Sequence, residues 1–199
     1  MSIVFAVSSR PSPHHSRILH GPGIRARRSF LLRCEPSSVQ NVPVNINPEA
    51  ARSGGTPRRR GGVVLIEDGR VALIRRHRGG RLYHLFPGGG VEVGESDETA
   101  AIREALEELG VHVQITRLLG TVAYGTATQV YFEVCATGGE FGTGDGPEMS
   151  SPADSEVGSY EPIWLRLDEL ADIDVRPAAL ASMLASSRLP ASPFEIVEG

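Results

Sequence analysis

The sequence predicts one α+β or mixed α/β domain over roughly 62–190. Three observations carry that expectation. Short β-branched runs surround a two-residue hairpin signal, one well-capped amphipathic helix sits in the middle, and a strand followed by a helix closes the region.

The elements follow in order. Gly62–Ile66 is an apolar β-branched run, Asp68-Gly69 is a hairpin turn signal, and Val71–Ile74 is the returning strand. Arg81–Phe86 alternates and reads as a further strand. Pro87 and the three glycines Gly88-Gly89-Gly90 read as a loop, because glycine resists regular structure. Ser96–Gly110 is the clearest helix: Ser96 caps it, Asp97 and Glu98 suit its positive end, and Gly110 ends it. On a helical wheel Ile102, Ala105, Leu106 and Leu109 form the expected core face. Val111–Leu119 and Val122–Cys135 read as strands, and 137–160 as a long loop with six glycines and two prolines. Pro162–Leu167 reads as the last strand and Arg176–Ser186 as the last helix.

Charge divides the chain. All 20 basic residues are arginine, against 24 acids. Residues 1–60 hold ten of the arginines and only two acids, whereas 61–199 hold the other ten and 22 acids. Residues 1–60 also lack periodicity and are rich in Ser and Pro, so they are expected to be a disordered basic arm. A transit segment and a nucleic-acid arm are the competing readings; the arm has few aromatics (Phe5 and Phe30) and no nucleic-acid module, so no nucleic-acid partner is expected. The domain is expected over 61–190, with 191–199 as a C-terminal tail. No apolar run approaches the roughly 18 residues of a membrane span. No apolar segment of a secretory signal follows the N-terminal charges. Cys34 and Cys135 have neither metal-ligand spacing nor a disulfide framework, and read as reduced thiols of a cytoplasmic protein.

The chemistry concentrates in and before the central helix. Glu104, Glu107 and Glu108 stand at i, i+3 and i+4, on one stripe where they repel. A solvated acidic face explains such a stripe when the helix is taken alone. The glycines just before it favour a site instead, because backbone without Cβ approaches a ligand closely. Clustered carboxylates are hard oxygen ligands suited to Mg²⁺ or Mn²⁺, with substrate phosphates completing the shell.

These residues spell a longer pattern: Gly89, five residues, Glu95, seven residues, then Arg103-Glu104-Ala105-Leu106-Glu107-Glu108-Leu109-Gly110-Val111. The stretch resembles the Nudix box of the MutT-type hydrolases at every fixed position, with Ala105 a small choice for an aliphatic one. The resemblance implies an α/β/α sandwich with a mixed central sheet and a loop–helix–loop box. It implies that Glu104, Glu107 and Glu108 bind the divalent metal, that Arg103 orients a ligand carboxylate, that Glu95 is its ionic partner, and that the Gly88 carbonyl adds a contact. It implies Mg²⁺-dependent hydrolysis of the pyrophosphate bond in a nucleoside diphosphate linked to X, or in a nucleotide, by water attacking phosphorus. The general base is then a box glutamate or one from the later loop, where Glu156 and Glu148 are the candidates. A non-catalytic nucleotide-sensing module on the same fold is the alternative. An isoprenoid diphosphate isomerase is disfavoured, because the only cysteine ahead of the box is Cys34 in the arm.

For the substrate, Arg75-Arg76-His77-Arg78 and Arg81 precede the box at a strand end and hairpin, placed to hold phosphate beside Gly88 and Gly89, with a solvated basic turn as the competing reading. Tyr83, Tyr124 and Tyr131 are candidate base-stacking residues, with cross-strand packing as the competing reading. The proline and tyrosine positions that mark two subfamilies, for ADP-ribose and for diadenosine polyphosphates, are not filled in this chain. The partner is therefore a small nucleotide or nucleoside diphosphate derivative of unspecified kind. Family members often form homodimers, and nothing in the sequence locates such an interface.

Overall fold

Asp68 and Gly69 take φ of 49° and 72°, the left-handed pair that a two-residue hairpin demands. They fold β1 (Arg58–Glu67) back onto β2 (Arg70–Arg78). This computed structural model describes residues 58–146 and 158–198. β3 (Arg81–Leu85) pairs antiparallel with β2, and β4 (Gly88–Gly90) pairs antiparallel with the first half of β1. Helix α1 (Asp97–Glu104) runs straight into a π-helical turn, Ala105–Leu109, which Gly110 closes at φ 76°. β5 (Val111–Tyr124) and β6 (Ala127–Gly139) form a long antiparallel hairpin. β7 (Ser159–Arg166) lies along β2, and a 3₁₀ turn, Leu167–Ala171, follows it. β8 (Val175–Arg176), helix α2 (Ala178–Ala185) and β9 (Phe194–Glu198) complete the chain.

The strands make one mixed sheet in the order β8-β3-β2-β1-β6-β5-β9, with β4 on β1 and β7 on β2. β1–β6, β3–β8 and β5–β9 are parallel, and the other pairs are antiparallel. Alternation along β1 divides the core. Val63 and Leu65 pack with Ala101, Ala105 and Leu109 below α1, whereas Val64 packs with Leu180, Ala181 and Leu184 of α2. A helix covers each face, so the expected α/β/α sandwich with a mixed sheet is what forms.

Several expectations change. Gly88–Gly90 is a strand and not a loop: its glycines face Arg60, Gly61 and Gly62, and two chains that lack Cβ atoms can approach closely. β5 does not end at Leu119, because Gly120 is absorbed at a register shift and the turn falls at Gly125. β1 starts at Arg58, ahead of the expected boundary at 61. Phe194–Glu198, expected as tail, is an edge strand, with Phe194 and Ile196 packed on the α2 core. The rest of the expected disordered arm lies outside the described residues. Cys135 is disulfide-bonded, not the reduced thiol expected, and the chain's other cysteine, Cys34, lies outside the described residues. Among the described residues no helix is long and apolar enough to cross a membrane.

The core face of α1 is also rotated from the expected one. Ala100, Ala101, Ala105 and Leu109 are fully buried, while Ile102 and Leu106 stand 40% and 39% exposed. The cause is close approach to β1: a Cβ on Gly61 would stand 2.3 Å from the Asp97 carbonyl and 2.7 Å from the Ala101 nitrogen. Where the helix lies this close to β1 the alanines Ala100 and Ala101 face the sheet, Leu109 is buried further along, and Ile102 and Leu106 turn outward. The same rotation carries Glu104 and Glu108 inward.

Candidate active site

The site begins at the helix entry. Ser96 caps α1, accepting from the Thr99 N–H at 3.2 Å. Arg59 clamps Asp97 through its Nε and a terminal nitrogen, which ties the helix start to β1. Glu95, just before the cap, accepts from the Glu92 N–H at 3.0 Å and faces Arg103.

Arg103 is the hub. Its Nε and Nη2 bond the two oxygens of Glu95 at 3.0 and 3.1 Å. Its Nη1 reaches Glu104 at 2.8 Å and Glu107 at 3.1 Å, and Nη2 also donates to the Gly90 carbonyl at 2.9 Å. All five guanidinium N–H groups therefore have an acceptor. Glu95 holds the Arg103 charge firmly and raises its pKa, and Arg103 in return lowers the Glu95 pKa.

Glu104 and Glu108 are both buried, at 8% and 7% exposure. Glu108 accepts from the Gly88 N–H at 2.8 Å, and the Gly88 carbonyl accepts from Arg60 at 2.8 Å. Gly89 lies directly on Glu104: a Cβ there would stand 1.8 Å from the carboxylate. The glycine strand is thus a lid of bare backbone over two carboxylates. Behind the π-helical turn, the Gly142 and Gly146 N–H groups bond the carbonyls of Leu109 and Glu107 at 2.9 Å each and satisfy the helix end.

A cavity of about 400 Å³ opens beside this corner. Gly88, Gly89, Gly90, Glu104 and Glu108 line it. Arg60, Arg76, Arg78 and Arg176 line it too, with Tyr83, Tyr131 and Tyr160. Arg76 is buried beneath the Tyr160 ring, 3.3 Å from its centroid, and Arg176 lies 4.5 Å from the centroid of Tyr83. Tyr131 is buried, which pushes its hydroxyl pKa up and keeps it a neutral hydrogen-bonding group.

The structure brings Glu95, Arg103, Glu104, Glu107 and Glu108 into one network, with Gly88 and Gly89 beside it. Glu107 turns to Arg103 and does not line the cavity. Among the described residues no three acidic, His or Cys side chains converge on one metal-sized point. Of the expected phosphate-binding arginines, Arg76 and Arg78 line the cavity, and Arg75 and Arg81 do not. Successive strand residues point to opposite faces, so Arg75 turns away and pairs with Glu161 at 3.0 Å. Arg81 is exposed at the hairpin end opposite Arg78. Glu156 and Glu148 lie outside the described residues. Sequence reasoning missed Arg60, assigned to the arm, and Arg176, assigned to a helix.

The NUDIX domain family model matches residues 55–185. A MutT-like protein of Streptomyces ambofaciens is 44% identical over 59 residues, which cover 30% of this chain and 37% of that protein. An RNA pyrophosphohydrolase of Caulobacter vibrioides is 37% identical over 128 residues, 57% of this chain and 74% of that protein. A crystal structure of a NUDIX hydrolase from Nitrosomonas europaea superposes with a TM-score of 0.56 at 20% identity, covering 72% of this chain and 80% of that one; the likeness there is one of fold. With the glycine strand, the Arg103 hub and the buried glutamates in place, and the family match spanning more than half of its length, the chain belongs to the Nudix family.

Proposed function

We propose that this chain hydrolyses the pyrophosphate bond of a nucleotide, or of a nucleoside diphosphate linked to a further group. The observation that carries the reading is the corner where Glu104 and Glu108 lie buried under Gly88–Gly90 and open onto a cavity lined by four arginines.

A divalent cation suits the corner. The donors present are carboxylate and carbonyl oxygens, the hard ligands that Mg²⁺ and Mn²⁺ take. The lid is built without Cβ atoms where one would fill the space against Glu104. Glu104 and Glu108 are the residues that would hold it, with Glu107 reached by way of Arg103. Such an ion neutralises charge that develops on phosphoryl oxygens. Arg103 fixes Glu104 and Glu107 through Nη1, and Glu95 fixes Arg103 through Nε and Nη2. The cavity arginines take phosphate oxygens, and the tyrosines beside them exclude water from the far side. Glu156 remains our candidate for receiving the proton of the attacking water, on its sequence position alone.

The name of the Caulobacter relative puts 5′-triphosphorylated RNA on the substrate panel beside ATP, ADP-ribose and nucleoside diphosphate sugars. The full-length chain is incubated with each compound and with Mg²⁺ or Mn²⁺, with and without chelator. The expected result is metal-dependent release of a 5′-monophosphate product from at least one of them. Mg²⁺-dependent nucleotide binding without turnover on any of them would contradict the proposal and favour a nucleotide-sensing module.

A further inference from the structure

The four cavity arginines are not equivalent. Arg60 spends a donor on the Gly88 carbonyl, and Arg76 is buried beneath Tyr160. Arg176 is different in its setting. It comes from β8, beyond the box in sequence and at the far edge of the sheet. Its side chain is 48% exposed at the cavity rim.

Three contacts hold it in one pose. Asp174 takes its Nε and Nη2 at 3.0 and 2.8 Å. The Tyr83 ring lies against the guanidinium 4.5 Å away. The backbone that carries the pair is pinned as well: the His84 N–H donates to the Asp174 carbonyl at 2.8 Å, and the His84 ring nitrogen lies 3.3 Å from the same oxygen. The Asp174 carboxylate accounts for two of the five N–H groups of Arg176. The other three lie on the edge away from Asp174. A guanidinium already fixed in plane and direction loses little side-chain entropy when it takes an oxyanion.

We propose that Arg176 is a specificity-determining residue that grips a phosphate of the substrate's polyphosphate chain, reaching the cavity from the β8 edge of the sheet while Glu104 and Glu108 reach it from the box helix. Asp174 is its positioning residue. The inference rests on the pyrophosphohydrolase reading for the identity of the site, and it adds where the second hold on the substrate lies. Arg176 supplies binding and not bond-breaking, so its loss falls on affinity.

The test uses full-length protein and ADP with Mg²⁺ as the probe, measured by calorimetry, so that it does not depend on turnover. Arg176→Gln weakens ADP binding about tenfold or more, because it removes the charge and the fork. Arg176→Lys keeps the charge, loses the fork and recovers only part of the affinity. Asp174→Asn weakens binding by a smaller factor while leaving kcat for the panel's best substrate alone and raising its KM, a split that a general loss of structure would not produce. Melting temperature checks that each variant folds. Equal ADP affinity in wild type and Arg176→Gln, or no ADP binding by wild type, overturns the inference. Wild type that binds ADP through Arg176 but cleaves nothing sinks the pyrophosphohydrolase reading and leaves this one standing. Turnover with an unchanged KM in Arg176→Gln does the reverse.

Discussion

The two sides of the cavity are built on opposite plans. The box corner is local: Gly88–Gly90, Glu95, Arg103, Glu104 and Glu108 lie within 21 residues, and every donor of Arg103 is taken inside that stretch. The arginine wall is assembled from β1, β2 and β8, with Tyr83 from β3 and Tyr160 from β7. A saturated network is rigid and leaves its hub nothing to offer a ligand. Arg176, half exposed and holding Asp174 through two of its five donors, has donors to give. The comparison teaches that the corner is made to hold a reaction centre still, and the wall to hold a substrate.

The harshest way to break the corner is Gly89→Ala. The added carbon would meet the Glu104 carboxylate at 1.8 Å, so the lid or the glutamate must move. Displacements of about 1 Å cost roughly a hundredfold in rate, and kcat/KM should fall by at least that much. Arg103→Lys is milder. It keeps the charge but cannot serve Glu95, Glu104, Glu107 and the Gly90 carbonyl together, and kcat should fall about 10- to 100-fold at unchanged fold. A wall change should register elsewhere: Tyr160→Leu uncovers Arg76, and the loss of about 1 kcal/mol of cation–π contact should raise KM about fivefold and spare kcat.

The pH response separates the two sides further. Arg103 lowers the Glu95 pKa below its ordinary value of 4.5. A carboxylate with a depressed native pKa contributes stability that is fully present above the unfolded value and is lost as pH falls through the native one. Melting temperature should therefore decline with acid below about pH 4.5, and less steeply in Glu95→Gln. The smallest effect is expected at Ile102→Gln, within about 0.5 kcal/mol, because that side chain faces outward. A loss of several kcal/mol there would restore the helix face that periodicity alone suggested.

That helix face shows where the sequence was legible and where it was not. Spacing along one strand or helix is written in the chain, so the hairpin at Asp68-Gly69, the Ser96 cap and the Gly110 stop could be anticipated from it, while the Arg103–Glu95 pairing followed from the resemblance to the Nudix box. The helical wheel put Ile102 and Leu106 in the core with Ala105 and Leu109. It misled because the deciding quantity was the distance between helix and sheet, set by Gly61 on another element. Gly88–Gly90 looked like loop for the same reason: its strand partner is Arg60–Gly62, of which Arg60 was assigned to the arm and only Gly62 to a strand. Arg176 was invisible because β8 is two residues long and exists only by pairing with β3. Contacts between distant strands follow from register, and local pattern does not contain it.

The most direct test sets the two sides against each other on the best substrate of the panel, measuring kcat and KM for Glu108→Gln and Arg176→Gln in parallel. The glutamine at 108 can still accept from the Gly88 N–H, so that variant should fold and lose charge alone. The account predicts a fall in kcat of about a hundredfold for Glu108→Gln with little change in KM, and a rise in KM of about tenfold for Arg176→Gln with little change in kcat. Wild-type kcat in folded Glu108→Gln would contradict it.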